Sequence, residues 1–448
     1  MRPYKLLFCS AVSTLFSGCS NQPSQKNIIV IYLDDLRFDA LGCTGNAVIK
    51  TPHIDSLASK GMRFTNAYVT TSISSPSRAA MLTGMYGSRN GVLDLSSTEL
   101  NDPKNTISNA LKNAGYSTAI IGKWHLGNSP AICGFDYSVY FEGNGDYYSR
   151  TIIRNGHEEH STQFIEDFSV TEAIRFIEKQ SKPYFLFLCS QLPHMDQKYR
   201  WNVANQYKDS SIFLPCNRND DLQSKPSYLT TGRHKMQGNL YGYQNDDSLA
   251  HHIRNYYSAV TALDRSLGVL FQFLNSTKAF ENTVVIIMSD NGWFIGEHGF
   301  TSKVLAYEES VRVPLIVAGN GITRGIRNEV VLNIDLAPTI SELCGIPATT
   351  NFDGISFLPL LQNKSVNDWR KGFIYEAPKP ELGSYPLYAY ISPERKYIRT
   401  YDINKRDSVI FHEEYDLIND KAEMRNTYNV NSVFTGMTDS IFINHCNK

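Results

Sequence analysis

Four short apolar runs, each followed closely by polar or ionisable residues, constrain the fold of this chain more than any other feature. The runs are residues 27–33, 118–121, 184–189 and 283–288. Continuous apolar runs of this length are typical of strands that are buried on both faces of a sheet. The residues that follow them include Asp34, Asp35, Lys123, His125, His194, Asp290 and Asn291. Because the functional cleft of an open α/β sheet lies at the carboxyl ends of its strands, we expect these side chains to meet at one edge.

Helical periodicity appears between the apolar runs and sets the fold class. It is clearest over residues 106–114, 168–180 and 252–274. Strands that alternate with helices predict an α/β fold, with a large, mostly parallel sheet sandwiched by helices. Residues 389–391 and 396–400 are typical of short antiparallel strands. We therefore expect a catalytic domain over 27–368 and a smaller antiparallel α+β subdomain over 369–448, and we interpret the polar stretch 196–250 as an insertion near the active site.

The amino terminus and the net charge bear on location and partners. Arg2 and Lys5 precede a short apolar stretch (6–16), and residues 17–19 read Ser-Gly-Cys. This pattern resembles a bacterial lipoprotein signal, so we expect a signal peptide over 1–18, a lipid on Cys19, a tether over 19–26, and export to the periplasm or outer membrane. An ordinary signal peptide that is cleaved beside an unrelated cysteine is the alternative. The net charge of −1 provides no basic excess, so we expect no nucleic-acid partner.

Residues 74–84 read Ser-Ser-Pro-Ser-Arg-Ala-Ala-Met-Leu-Thr-Gly and place a hydroxyl group near a cation. Pro76 favours the first turn of a helix, so we expect Ser74 just ahead of a helix N-terminus, where free N–H groups favour an anion. Arg78 follows about one turn later and can point back to the same place. The alternative for this segment is a serine-rich turn that leads into an ordinary helix.

Asp34, Asp35, Asp290 and Asn291 offer only oxygen ligands. Such a set suits a hard cation, Ca²⁺ or Mg²⁺, rather than zinc. Three carboxylates at one point would also repel one another without a cation. Helix capping by aspartate after a strand is the alternative for either pair alone.

Taken together, these segments resemble the formylglycine-dependent (type I) sulfatases of the alkaline-phosphatase superfamily. Residues 74–84 meet every fixed position of that family's signature, which is Cys or Ser, any residue, Pro-Ser-Arg, three variable residues and Leu-Thr-Gly. Residues 122–127 resemble the second signature, and 289–292, 296–299, Lys303 and 307–314 resemble the metal and lysine block. Residues 414–417 resemble the C-terminal subdomain. The chain is similar to bacterial glycan sulfatases, which implies the alkaline-phosphatase-like fold.

The resemblance implies a cofactor and a modified residue. Asp34, Asp35, Asp290, Asn291 and residue 74 would bind Ca²⁺. Ser74, which stands where many members have cysteine, would be oxidised to formylglycine (3-oxoalanine) by an anaerobic-type maturating enzyme. One hydroxyl of the hydrated aldehyde would attack sulfur, and the other would expel sulfate. An unmodified Ser74 that serves a phosphatase or phosphodiesterase of the same superfamily is the alternative.

The resemblance also implies roles for four basic residues besides Arg78, which would stabilise the formylglycine. Lys123 would bind the sulfate, and His125 would be the base that releases it. His194 and Lys303 would hold the sulfate and protonate the leaving oxygen. Lys123 and His125 are one residue apart, so on an extended segment they would face the same side. His298 is expected to have a structural role.

The expected activity is hydrolysis of sulfate esters, most of all on O-sulfated carbohydrate such as glycosaminoglycan or mucin. Residues 144–148 and 195–201 could line a sugar pocket, with surface loops as the alternative. A general arylsulfatase and a non-catalytic glycan-binding relative are further alternatives. A relative without catalytic activity should have lost part of the metal or lysine set, and none of these residues is missing.

Overall fold

The computed structural model describes residues 25–347, 351–405 and 407–446. The expected signal peptide and the lipidation site Cys19 lie outside these ranges and stay predictions. Every helix within them is too short or too polar to span a lipid bilayer.

Within the described ranges the chain forms sixteen strands and twelve α-helices. The strands are β1 (Asn27–Asp34), β2 (Met62–Tyr68), β3 (Ser117–Lys123), β4 (Tyr137–Phe141), β5 (Arg150–Arg154), β6 (His157–Ser161), β7 (Tyr184–Pro193), β8 (Thr283–Ser289), β9 (Phe294–Ile295), β10 (Thr301–Ser302), β11 (Leu315–Gly319), β12 (Gly325–Leu332), β13 (Phe373–Ala377), β14 (Leu387–Ile391), β15 (Arg395–Tyr401) and β16 (Val409–Asp416). The helices are α1 (Pro52–Ala58), α2 (Ser74–Thr83), α3 (Gly87–Asn90), α4 (Ile107–Asn113), α5 (Ile165–Glu178), α6 (Tyr228–Thr231), α7 (Arg233–Leu240), α8 (Asp246–Ser276), α9 (Glu308–Val311), α10 (Leu336–Leu343), α11 (Leu358–Leu361) and α12 (Val433–Cys446).

Ten of these strands form one large sheet in the order β12-β2-β11-β8-β1-β7-β3-β4-β5-β6. The five central strands, from β8 to β4, are parallel, whereas β11 and β5 run the opposite way to their neighbours. The expectation of a mostly parallel sheet is confirmed. The four apolar runs are β1, β3, β7 and β8, and they are adjacent in the order β8-β1-β7-β3.

The central strands are buried on both faces because helices cover both sides of the sheet. Alternate residues of β1 belong to different cores: Ile29 and Ile31 pack with α1, α5 and α8, whereas Ile28 and Val30 pack with α2, α4 and α10. Successive side chains of a strand point to opposite faces of the sheet. Because helices cover both faces here, every position must be apolar, and this explains the continuous apolar runs.

The three helices expected from periodicity are present as α4, α5 and α8. The last begins six residues before the expected start, at Asp246. The side chain of Asn245 accepts a hydrogen bond from the backbone N–H of Ser248 (3.0 Å) and caps the helix. Two acidic residues in the first turn, Asp246 and Asp247, favour the same start.

A second, four-stranded antiparallel sheet forms the C-terminal part, in the order β13-β14-β15-β16. It confirms the expected small antiparallel unit, while the exact domain boundaries stay a prediction. Apolar residues of this sheet, including Tyr375 and Ile398, share a core with Phe294 and Phe300 of the segment that follows β8. The small sheet therefore packs against the segment that follows β8, one of the central strands of the large sheet.

A buried charge cluster joins the two sheets. Lys396 on β15 is fully buried, and its Nζ lies 2.8 Å from Glu423 Oε1 and 3.1 Å from Glu308 Oε1. Glu308 is the first residue of α9 and lies five residues after Lys303 in the sequence. These contacts are charge pairs rather than aligned hydrogen bonds. Loss of the lysine would leave buried Glu423 without its ion-pair partner and Glu308 with Arg312 alone at 3.5 Å, which is the costly way to break such a cluster.

We therefore expect Lys396→Met to lower the free energy of unfolding by about 3–5 kcal/mol, as is usual when one partner of a buried ion pair is removed. The matched control is Lys112→Met, because Lys112 pairs with Asp136 at 2.7 Å on the surface. An exposed pair of this kind contributes about 0–1 kcal/mol. Denaturant unfolding of both variants tests the contrast, and equal stabilities would contradict it.

Candidate active site

The carboxyl ends of four adjacent strands bring the candidate residues together. Asp34 is the last residue of β1, and Lys123 is the last residue of β3. His194 follows β7 directly, and Asp290 follows β8. The backbone N–H of Asp290 donates to the carbonyl of Leu33, and that of His194 donates to the carbonyl of Asp34, so the strand ends are linked by hydrogen bonds. The sheet itself therefore fixes the relative positions of these groups.

Ser74 reaches the same place from the opposite direction, at the start of α2. It is the first residue of the helix, and Ile73 is the extended residue before it, so the helix begins one residue earlier than expected. The helix is buried along its whole length. The Ser74 hydroxyl donates to Asp34 Oδ1 at 3.1 Å. A nucleophile at this position lies at the positive end of a helix dipole and against a carboxylate.

Arg78, one turn along α2, points back to the carboxylates as expected. Its Nη2 lies 3.0 Å from Asp290 Oδ2 and 3.5 Å from Asp34 Oδ2, and its Nη1 donates to the carbonyl of Lys123 (2.9 Å). The side chain is completely buried. A planar guanidinium can bridge two carboxylates in this way, whereas an ammonium group cannot match the fork geometry.

Lys123, Asn144 and His194 form a chain of hydrogen bonds. The Lys123 ammonium group pairs with Asp34 and donates to Asn144 Oδ1 (2.6 Å). Asn144 Nδ2 lies 3.0 Å from His194 Nε2, and His194 Nδ1 lies 2.7 Å from the carbonyl of Met195. Since a carbonyl only accepts, Nδ1 carries the proton of the neutral ring, and Nε2 accepts from Asn144. Asn144 thus links the two basic residues, and sequence reasoning had placed it only in a sugar pocket.

Lys303 approaches the cluster from the segment that follows β10. Its Nζ lies 2.6 Å from Asp35 Oδ1, 3.2 Å from Asn291 Oδ1 and 3.4 Å from Ser74 Oγ. The residues on either side of it, Ser302 and Val304, have φ values of 86° and 81°. Positive φ is costly for a β-branched residue, so the surrounding contacts must hold this segment in place.

His125 does not continue the β3 strand, and the expectation of an extended Lys123–His125 segment is wrong. β3 ends at Lys123, and His125 has a φ of 61°. Its carbonyl accepts a hydrogen bond from Ser75 Oγ (2.7 Å), which holds the turned backbone against α2. The His125 ring nevertheless lines the same cavity as Ser74, while its Nδ1 is buried without a hydrogen-bond partner.

The charges of the cluster balance. Asp34, Asp35 and Asp290 face the cations Arg78, Lys123 and Lys303. Burial would raise the pKa of Asp34, but the charges of Lys123, Lys303 and Arg78 outweigh it and hold that pKa well below the usual range. Burial raises the pKa of Asp290, and the neighbouring charge of Asp34 adds to this. Burial and the charges of Lys123 and Arg78 lower the pKa of His125.

The donor set fits a hard cation. Three possible ligand atoms lie within 4.8 Å of one another: a carboxylate oxygen of Asp34, a carboxylate oxygen of Asp35 and a ring nitrogen of His194. Asp290 Oδ1 lies 3.3 Å from the backbone N of Asp35, and Asn291 contributes an amide oxygen beside Lys303. Oxygen donors with three carboxylate charges are the ligands that Ca²⁺ and Mg²⁺ prefer. A divalent cation would give the balanced cluster a net positive charge, which suits an anionic substrate.

A cavity of about 170 Å³ opens above the cluster. Ser74, His125, Asn144, His194 and Lys303 line its floor, whereas Arg78, Lys123 and Asp290 are fully buried beneath it. The walls include Leu95, Tyr199, Arg233, Gln237, Tyr241, Trp293 and Leu382. Of these wall residues only Tyr199 lies in a segment that the sequence had put forward as a sugar pocket, although Trp293 lies two residues after Asn291 and could have been noticed on that ground.

Several residues that the sequence had put forward do not line the cavity. Trp201 donates its indole N–H to the carbonyl of Pro193 (2.6 Å), and Asp196 pairs with Arg200 at 3.0 Å. Both contacts fold the segment after β7, and of residues 195–201 only Met195 and Tyr199 line the cavity. His298 is buried and bonded to Asp220 (2.7 Å), which agrees with the structural role expected for it.

Comparisons with known proteins agree with this architecture. A family model described as sulfatase matches residues 26–346, and one described as N-sulphoglucosamine sulphohydrolase, C-terminal, matches residues 296–441. An N-acetylglucosamine-6-O-sulfatase of Bacteroides thetaiotaomicron is 29% identical, over 95% of this chain and 87% of that protein. An ulvan-active sulfatase of Formosa agariphila is 28% identical, over 83% of this chain and 71% of that protein.

Solved structures include a protein in complex with its substrate D-glucosamine-2-N,6-O-disulfate. It superimposes with a TM-score of 0.84 at 26% identity and covers 94% of this chain and 97% of its own. The large sheet, the helices on both faces and the small C-terminal sheet are those of the alkaline-phosphatase-like fold. This chain belongs to the sulfatase family, whose members are sulfuric ester hydrolases.

Proposed function

We propose that this chain hydrolyses O-sulfate esters of glycans, with Ser74 as the oxidised nucleophile and Ca²⁺ as the metal. The observation that carries the proposal is the convergence of a serine hydroxyl, three carboxylates and three cations at and directly beneath the floor of one cavity. Two serines, Ser74 and Ser302, line this cavity, and it is the Ser74 hydroxyl that bonds Asp34 Oδ1 and lies 3.4 Å from Lys303 Nζ.

Ca²⁺ would be held by Asp34, Asp35, Asp290 and Asn291 and, when bound, supplies positive charge beside the sulfate oxygens. Formylglycine at residue 74 supplies a hydrated aldehyde whose hydroxyl is a better nucleophile than an unmodified serine. The remaining chemistry belongs to this chain's basic residues. Arg78 and Lys123 hold the carboxylates from below, and Lys303 lies at the cavity floor within 3.4 Å of Ser74 Oγ.

Two residues were expected to protonate the leaving oxygen, and the contacts favour Lys303 over His194 as the donor. The Lys303 ammonium group carries its protons at the cavity floor and is paired with Asp35. His194 uses its proton on Nδ1 for the carbonyl of Met195, and its Nε2 accepts from Asn144. His194 is then better placed to hold Asn144 in position than to donate a proton.

The sugar is proposed from the relatives. Both the N-acetylglucosamine-6-O-sulfatase and the protein bound to glucosamine disulfate align over nearly the whole chain. We therefore propose a 6-O-sulfated glucosamine unit as the sugar to test first. Sulfate release from N-acetylglucosamine-6-O-sulfate by the mature enzyme, compared with phosphate release from the matching 6-phosphate, tests the reaction class. Release of phosphate alone would favour the phosphatase alternative.

Oxidation of Ser74 is expected in a host with the anaerobic-type, radical-based maturating enzyme. The tryptic peptide that contains Ser74 should then have lost two hydrogens, as measured by mass spectrometry. The oxygen-dependent generator acts on cysteine, so in a host with that enzyme alone Ser74 should stay serine, while a Ser74→Cys control should be converted. Full activity of protein with only unmodified serine would refute this prediction.

Calcium is expected to stabilise the folded protein through the carboxylate cluster. Binding contributes about 2.7 kcal/mol when free Ca²⁺ is 100 times its Kd, so Tm should rise with added Ca²⁺. Asp290→Asn removes one charge but keeps the shape beside buried Arg78. It should raise the Ca²⁺ concentration that is needed for the same increase in Tm by about tenfold. Asp136→Asn, on the surface, is the control. An unchanged response of Asp290→Asn would remove Asp290 from the ligand set.

Lys303→Ala should lower activity on sugar sulfates more than on aryl sulfates. A sugar alkoxide is a poor leaving group and needs a proton, which contributes about 100-fold or more, whereas an activated phenolate needs little help. His194→Ala should show a smaller difference between the two substrate types. His125→Ala is the control, since it should slow both types equally. Equal losses for Lys303→Ala would leave Lys303 as a sulfate-binding residue only.

A further inference from the structure

The lining of the cavity carries one cation that has no acidic partner among the described residues. Arg233 and Lys303 are the two fully charged side chains that line the cavity, and no Asp or Glu of the described residues lines it. Lys303 is occupied by Asp35, and it belongs to the reaction centre. Arg233 has no carboxylate within ion-pair distance among the residues that the structure describes. Arg218, which lies in the same insertion, is by contrast paired with Asp246 at 3.0 Å.

Arg233 belongs to a helix that is fixed to the catalytic segment. It is the first residue of α7, and Gln237 and Tyr241, at spacings of four residues, line the same cavity. The next residue, His234, is fully buried, and its Nε2 donates to the carbonyl of Lys303 (2.7 Å). Since His234 bonds the backbone of the catalytic lysine directly, the position of α7 is tied to that of the reaction centre.

Two further contacts hold α7 in place. Lys235 Nζ donates to the carbonyl of His298 (3.2 Å). Gly238 packs so closely on the carbonyl of Gly299 that no side chain would fit between them. These three attachments, at His234, Lys235 and Gly238, make this helix a fixed wall rather than a mobile loop.

The stem of Arg233 is also held. It packs against Gly383, where an added Cβ would collide with the Cβ of Arg233 and where the φ of 87° favours glycine. A lone exposed arginine is usually a solvated surface charge. Here the stem packs against Gly383 of the C-terminal part of the chain, and the residue lines the cavity above the buried cation cluster, which is the arrangement of a recognition residue.

We propose that Arg233 recognises a second anionic group on the glycan, a sulfate or a carboxylate, in addition to the ester that is cleaved. This inference rests on the proposed function for the identity of the sugar. It makes α7 the element that distinguishes doubly charged units, such as N-sulfated glucosamine, from units whose amine is acetylated and neutral. Specificity arises because the guanidinium can pair with the second anion but gains nothing from a neutral group.

Binding to the unmodified Ser74 form tests this without turnover. Calorimetric titration of the Ca²⁺-loaded protein with D-glucosamine-2-N,6-O-disulfate and with N-acetylglucosamine-6-O-sulfate should show about tenfold tighter binding of the disulfate, the size of a charge-assisted contact. Arg233→Gln should reduce the preference to about twofold or less, and Arg233→Lys should keep part of it. The matched control is Arg324→Gln, an exposed arginine that does not line the cavity.

A third probe, 6-O-sulfated N-acetylglucosamine joined to a uronic acid, shows whether the second anion is a sulfate or a carboxylate. A preference for this sugar that Arg233→Gln abolishes assigns Arg233 to a carboxylate on the neighbouring unit. Equal binding of all three sugars by the unaltered protein, no binding of any, or a preference that survives Arg233→Gln would overturn the inference. Turnover of the same sugars by the mature enzyme reports on the proposed function separately, since the binding preference does not require catalysis.

Discussion

The burial of three carboxylates at the ends of two neighbouring strands is the constraint on which the rest of the site depends. Two like charges 4 Å apart repel by about 4 kcal/mol at an effective dielectric constant near 20, and Asp34, Asp35 and Asp290 are all nearly inaccessible to water. Each must therefore be met by a cation. Arg78, Lys123 and Lys303 supply the three countercharges from three different parts of the chain, which are α2, β3 and the segment after β10. The electrostatic requirement thus draws separate elements to one point, and with them the Ser74 hydroxyl.

The same concentration of contacts allows the backbone to hold unfavourable conformations. Asp35, His125, Ser302 and Val304 all have positive φ, and each costs about 1–3 kcal/mol outside glycine. Each is held by a specific contact: Asp35 by its pairing with Lys303, His125 by Ser75, and the 302–304 segment by the bond of His234 to the Lys303 carbonyl. Two of these residues, His125 and Ser302, line the cavity, whereas Asp35 and Val304 are buried.

Sequence reasoning predicted the features that depend on local pattern. Continuous apolar runs identified β1, β3, β7 and β8, and the rule for open sheets brought Asp34 and Asp290 together. Helical spacing related Ser74 to Arg78. Features that depend on long-range packing were missed. Asn144 joins Lys123 to His194 only because β4 lies beside β3. The extended path assumed for His125 failed because the chain turns away from the sheet after Lys123, and α7 lies in a polar insertion with weak periodicity.

The site therefore has two parts with different origins. The floor lies on the edge of the large sheet, where the strand ends fix carboxylates and cations, and this is the part to which we assign the reaction of the sulfatase family. The wall comes from the insertion and from loops such as the one that carries Leu382, which have no counterpart in the sheet's geometry. Relatives of nearly equal identity, 29% and 28%, carry names that refer to different glycans, as expected if the wall changes while the floor is kept. Because α7 is bonded to the backbone of Lys303, a change in the wall would also act on the position of this lysine, so under the proposed function sugar recognition and catalysis would share one mechanical connection.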